Sequence, residues 1–171
     1  MRRLLMGCLA GVLLVGCGSR QEPPGEHSSA LTPIVSRETG IRFMPPLKWS
    51  RDRVVVAELD ADSAAVELAG ALRGVTFDYK AEQPGHRNQP LLRVLVFDRN
   101  RWAAQIAEGG PPAGESIASV GDWVYVAALP SSNPYREETL DADQFDAMHL
   151  SLDEVRAAFA VEGNGPSLAK R

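Results

Sequence analysis

Few side chains in this sequence could do covalent or acid–base work, and their spacing narrows what that work could be. There are two cysteines, Cys8 and Cys17. The three histidines are His27, His86 and His149, and no two stand three or four positions apart, so no paired-histidine metal motif exists. Asp60 and Asp62, and again Asp141, Asp143 and Asp146, place acids at short spacing. A calcium loop of the EF-hand type also needs Gly at its sixth position and Glu at its twelfth. Counted from Asp60 these are Ala65 and Ala71; counted from Asp141 they are Asp146 and Leu152. The Asp141 group fits the start of a helix better, where the dipole favours negative charge. A serine nucleophile needs a sharp strand-to-helix turn. The nearest match, Gly114-Glu115-Ser116-Ile117-Ala118, lacks the final glycine and leads into a strand. The reading therefore assigns no catalytic residue and no metal ligand. Paired carboxylates of a glycoside hydrolase stay open, because their separation belongs to the fold.

The best interaction candidate is the loop Pro130 to Arg136. Ser131, Ser132 and Asn133 supply adaptable hydrogen bonds, Tyr135 supplies contact area, Arg136 a charge, and two prolines stiffen the backbone. Arg51 and Arg53, and Arg99 and Arg101, sit beside Asp52 and Asp98 and read as a solvated face. Trp49, Trp102 and Trp123 each lie within apolar patterns and read as core.

The strongest pattern is at the start. Arg2 and Arg3 precede a 13-residue uncharged run, Leu4 to Gly16, dominated by Leu, Val, Gly and Ala. Its length fits a secretory h-region of ~7–15 residues and falls short of the ~20 that span a bilayer. The run closes on Leu14-Val15-Gly16-Cys17, which resembles the lipobox of bacterial lipoproteins. That resemblance implies a diacylglycerol on the Cys17 sulfur, cleavage between Gly16 and Cys17, and an N-acyl chain on the new amine. More than one acyl chain makes attachment stable. No other cofactor is implied. Gly18, rather than Asp, follows the anchor, which by analogy with envelope sorting favours the outer membrane, facing the periplasm.

Cleavage after Gly16 would take 16 of the 171 residues and two arginines, leaving 155 residues and moving the formal charge from −4 to −6. Cys8 leaves with the signal, so the remaining thiol is the lipid site, which excludes thiol catalysis and internal disulfides. An acidic chain argues against nucleic acid as a partner. The partners expected are the membrane, through the anchor, and an envelope protein or glycan. The function expected is that of a non-enzymatic binding module. The alternatives are a cell-wall hydrolase using two carboxylates and an envelope protease inhibitor presenting Pro130 to Arg136.

What must position these residues follows from the pattern downstream. Residues 17–40, rich in Gly, Ser and Pro, read as a flexible tether holding a domain ~25 Å from the bilayer. Residues 41–161 read as a single domain and 162–171 as a disordered tail. Strands are expected at Ile41–Met44, Val54–Leu59, Val75–Tyr79 (wet on one face), Leu91–Phe97 (buried on both), and Ser116–Ser119 with Trp123–Leu129 as a hairpin. Ser63–Leu72 reads as a short helix, and Asp98 as the N-cap of a second. Phe145, Met148, Leu152, Val155 and Phe159 recur at helical spacing, and Ser151 with Glu154 makes a capping box. The class is α+β, an antiparallel sheet of about five to six strands with helices packed on one side. Ile41-Arg42-Phe43-x-x-Pro46-x-x-Trp49, with the later Asp98 to Trp102 segment, the Tyr125 strand and the final helix, resembles PsbP-like domains of small lipoproteins. The resemblance spans about residues 40–160 and implies an α/β sandwich with no shared active site.

Overall fold

The computed structural model describes residues 32–163, 165 and 166. Cys17, Gly16 and the expected signal segment lie outside the described residues. Leu91 to Phe97 is the centre of the molecule. It belongs to β5 (Gln89–Asp98), the middle strand of a five-stranded antiparallel sheet ordered β3 (Val54–Leu59), β4 (Arg73–Tyr79), β5, β7 (Trp123–Ala128), β6 (Glu115–Val120). Alternation along the strands divides the core in two. Val94 and Val96 of β5 join Phe77, Tyr79 and Tyr125 on one face, while Leu95 and Phe97 join Val124 and Val126 on the other. Opposite Asp78 stands Pro90, which has no N–H for the ladder, and the register slips there. The slip lets the consecutive residues Leu91 and Leu92 enter the same cluster.

A second, three-stranded antiparallel sheet, β1 (Ile34–Ser36), β2 (Ile41–Phe43) and β8 (Phe159–Val161), joins the Tyr125 face. Ile41 and Phe43 are buried and Arg42 between them is exposed, the period of a half-covered strand. Phe43 meets Phe77 at 4.8 Å and Trp49 at 5.6 Å, and the Trp49 indole N–H donates to the Met148 carbonyl at 2.7 Å. Each large side chain buried in this way contributes roughly 1.5–3 kcal/mol.

The four α-helices among the described residues are each set by their caps. Ser63 caps α1 (Ala64–Ala69), and Gly70, with φ of 68°, ends it in the left-handed region that favours glycine. Asp98 caps α2 (Arg99–Ala107) by accepting from the N–H groups of Asn100 and Arg101. Thr139 caps α3 (Leu140–Met148). Ser151 and Glu154 close the expected capping box on α4 (Leu152–Ala158). The α+β class is as the sequence implies.

Several details differ. The helices do not share one side: α1 and α2 cover the Leu95–Phe97 face through Val66 and Trp102, while Phe145, Met148 and Val155 of α3 and α4 pack on the Tyr125 face. Both faces of β5 are apolar, so each needs a cover. The segment expected as tether up to residue 40 contains β1, and Ser36 and Thr39 are buried, because β2 offers a free edge to Ile34–Ser36. Phe159 does not end a helix. It opens β8, opposite Phe43, where it covers the Tyr125 ring at 5.4 Å. The expected tail is also engaged: the Glu162 N–H donates to the Gly40 carbonyl, and Pro166 is buried. Gly165 lies so close to Trp123 that a Cβ there would stand 2.5 Å from the ring. On β4, Thr76 is buried rather than wet, between Ala57 and Arg93 on neighbouring strands.

Candidate functional site

Tyr79 ends β4 on the Tyr125 face of the sheet, and the chain then loops through residues 80–88 before β5 begins. Against this loop lies the first turn of α3, and its Asp141 is fully buried. Asp141 Oδ1 accepts from the Tyr79 hydroxyl and from the Glu82 N–H, each at 2.9 Å. Oδ2 accepts from the Gln83 N–H at 3.0 Å and lies 2.6 Å from His86 Nδ1. Burial by itself would push the Asp141 carboxyl up. The two backbone N–H groups, the Tyr79 hydroxyl and His86 outweigh it and hold the pKa at about 2. An ionised carboxylate can only accept, so His86 Nδ1 carries the proton, and in the neutral ring Nε2 is the free acceptor.

The three tyrosines surround the same half of the core. Burial, then the hydrogen bond to Asp141, pushes the Tyr79 hydroxyl far above the phenol range. Burial pushes Tyr125 and Tyr135 up to about 12, with the Asp141 charge adding to the effect at Tyr135. The His86 ring stacks on Tyr135 with centroids 5.2 Å apart, and the Tyr135 hydroxyl donates to the Arg87 carbonyl at 2.8 Å. The His86 side chain is 26% exposed. The arrangement is an oriented Asp–His pair whose imidazole edge reaches solvent, able to accept a hydrogen bond or a proton there. Among the described residues no hydrogen bond joins His86 to a serine or threonine hydroxyl.

The predicted interaction loop runs beside this cluster, and its residues separate into two sets. Asn133 Oδ1 accepts from the Tyr135 N–H, and Asn133 Nδ2 donates to the Ala142 carbonyl, both at 2.9 Å. Tyr135 is only 9% exposed and packs edge-on against Tyr79 and Phe145. Asn133 and Tyr135 therefore staple the loop to α3 instead of offering contact area, because an aromatic ring at the core rim is better buried than wet. Ser131, Ser132 and Arg136 remain exposed on this stapled backbone. Sequence reasoning missed the Asp141–His86–Tyr79 cluster. Its members stand 55 and 62 positions from Asp141, and no local pattern distinguishes Asp141 from Asp143.

Elsewhere, a cleft of about 420 Å³ between α1 and α2 is lined by two exposed carboxylates, Glu67 and Glu108, with Arg101. Among the described residues no group of three His, Cys, Asp or Glu side chains is arranged to hold a metal ion. No described helix is long and apolar enough to cross a membrane. Compared with protein-family models, curated proteins and solved structures, the chain matches none.

Proposed function

We propose that this protein is a lipid-anchored lipoprotein of the bacterial envelope, held through Cys17 in the outer membrane facing the periplasm, and that it binds an envelope protein or glycan without catalysis. The observation that carries the reading is the ordered succession Arg2-Arg3, the uncharged run Leu4–Gly16, and Leu14-Val15-Gly16-Cys17. Thr32, the first described residue, stands fifteen positions after Cys17, a separation worth roughly 20 Å of average reach. The binding face this reading favours is Ser131, Ser132 and Arg136. Polar groups on a backbone already fixed by Asn133 and Tyr135 lose little entropy when a partner is captured.

Mass spectrometry of the mature N-terminus from envelope membranes tests the anchor. The expected species begins at Cys17 and carries diacylglyceryl and acyl chains, and Cys17→Ala should accumulate as uncleaved precursor. Material that starts with unmodified Met1 and fractionates with the cytosol would overturn the reading.

A further inference from the structure

The chain reaches the folded domain at a surface unlike the rest of it. Thr32, Pro33 and Ile34 wall a cavity of about 350 Å³ whose other side is Pro45, Trp49, Val54 and Val56, with Arg51 among its lining residues. Pro45 is shared with a second hollow of about 440 Å³, formed by Met44, Pro46, Leu47 and Ala157. Leu47 is 86% exposed at the tip of the turn, Met44 is 44% and Val56 39% exposed. Scattered exposed apolar residues are ordinary, but two adjoining apolar hollows with a protruding leucine mark a surface that something covers.

Two observations say what covers it. The residues through which the upstream chain leaves the domain are themselves a wall of the cavity, so a lipid on Cys17, fifteen positions away, draws this face towards the bilayer. A cation also borders the apolar surface, Arg51, with the exposed carboxylate of Asp52 next to it in sequence. Arg51 donates to the Thr32 hydroxyl and makes no ion pair among the described residues. Lys48, next to Leu47, holds Glu154 at 2.7 Å, which neutralises the one carboxylate of the second hollow.

We infer that this surface is a membrane-docking face: Leu47 and Met44 enter the headgroup–acyl boundary, and Arg51 lies against a lipid phosphate. An apolar tip with a basic residue beside it is an arrangement that binds such an interface. The inference rests on the lipid anchor proposed above and adds that the domain lies on the bilayer instead of hanging free from it.

In the mature lipidated protein Leu47→Cys is the sole free thiol, so a nitroxide can be placed there alone, with Glu137→Cys as an exposed control. The protein is reconstituted in vesicles of phosphatidylethanolamine and phosphatidylglycerol. Accessibility to oxygen and to a water-soluble nickel chelate is then measured by electron paramagnetic resonance. Docking predicts that the label at 47 gains oxygen access and loses nickel access several-fold relative to the label at 137. Equal aqueous accessibility at both positions, in protein that floats with the vesicles, overturns docking and leaves the anchor standing. Protein that does not float with the vesicles removes the anchor and docking together. Shielding at 47 that arises only when envelope proteins are added assigns the surface to a protein partner and also overturns docking.

Discussion

Asp141 is a buried carboxylate on the Tyr125 face of the sheet. Its two oxygens receive four donors from two segments, Tyr79 of β4 and the loop at Glu82, Gln83 and His86, and so tie both to α3. Whichever oxygen it replaces, the Asp141→Asn amide N–H would face a backbone N–H, of Glu82 or of Gln83, that can only donate, and the loss should be about 3 kcal/mol in denaturant unfolding. Because the folded carboxyl titrates at about 2 and the unfolded one near 3.8, its contribution of roughly 2 kcal/mol is complete above the unfolded value. It is lost as pH falls through about 2, so the wild-type protein should weaken across that window more than the Asn variant. The tyrosines give the opposite limb. All three of the chain's tyrosines are buried, and each has its hydroxyl pushed above the ordinary value of 10.0. Stability should hold up to that value and fall as pH rises beyond it. In an ultraviolet titration, tyrosinate should emerge in one step together with unfolding. A phenol that ionises near pH 10 while the near-ultraviolet circular dichroism stays native would contradict this.

Individual elements were legible where a local rule decides them. Asp98 caps α2, and Ser151 and Glu154 reciprocate across the first turn of α4, whereas α1, expected to reach Leu72, stops at Ala69 because Gly70 turns left-handed. In both caps the donor and acceptor are two or three residues apart, so no tertiary information is needed. Glu154 is held at about 2 by Lys48 first and by the Ser151 N–H next, so the box and the Lys48 ion pair act on one carboxylate. Ser151→Ala should cost about 1 kcal/mol, read as a lowered midpoint in urea with an unchanged slope. The apolar stripe from Phe145 to Phe159 has helical period throughout, yet the last residue belongs to β8. Periodicity reports which residues seek the core; it does not report that β2 offers Phe159 an unpaired edge.

At the scale of the molecule, the boundaries of the domain are tertiary facts. β1 pairs with β2, the Glu162 N–H closes on Gly40, and Gly165 sits on Trp123, although all three segments have the composition of linkers. A fragment limited to residues 41–161 should therefore melt several degrees below one spanning 32–171, measured by thermal circular dichroism. Equal melting temperatures would mean that β1 and the Gly165 contact contribute nothing. The same geometry gives the molecule two distinct surfaces. The stapled loop with Ser131, Ser132 and Arg136 is polar, and the surface around Pro45 and Leu47, where the upstream chain arrives, is apolar.

From its order of residues alone this protein reveals an acidic, thiol-poor α+β chain, its strand and helix cores, its local caps, and the N-terminal order of charge, apolar run and cysteine on which the proposed anchor rests. Each of these depends on neighbours within a few positions, which is the range over which period, charge order and capping act. The tertiary structure decided the rest: helices on both faces of the sheet, Asp141 joined to His86 and Tyr79, Tyr135 turned inward, and an apolar surface gathered at the point where the chain enters. Those outcomes join residues tens of positions apart, and only the free-energy gain of covering both faces of β5 together selects them.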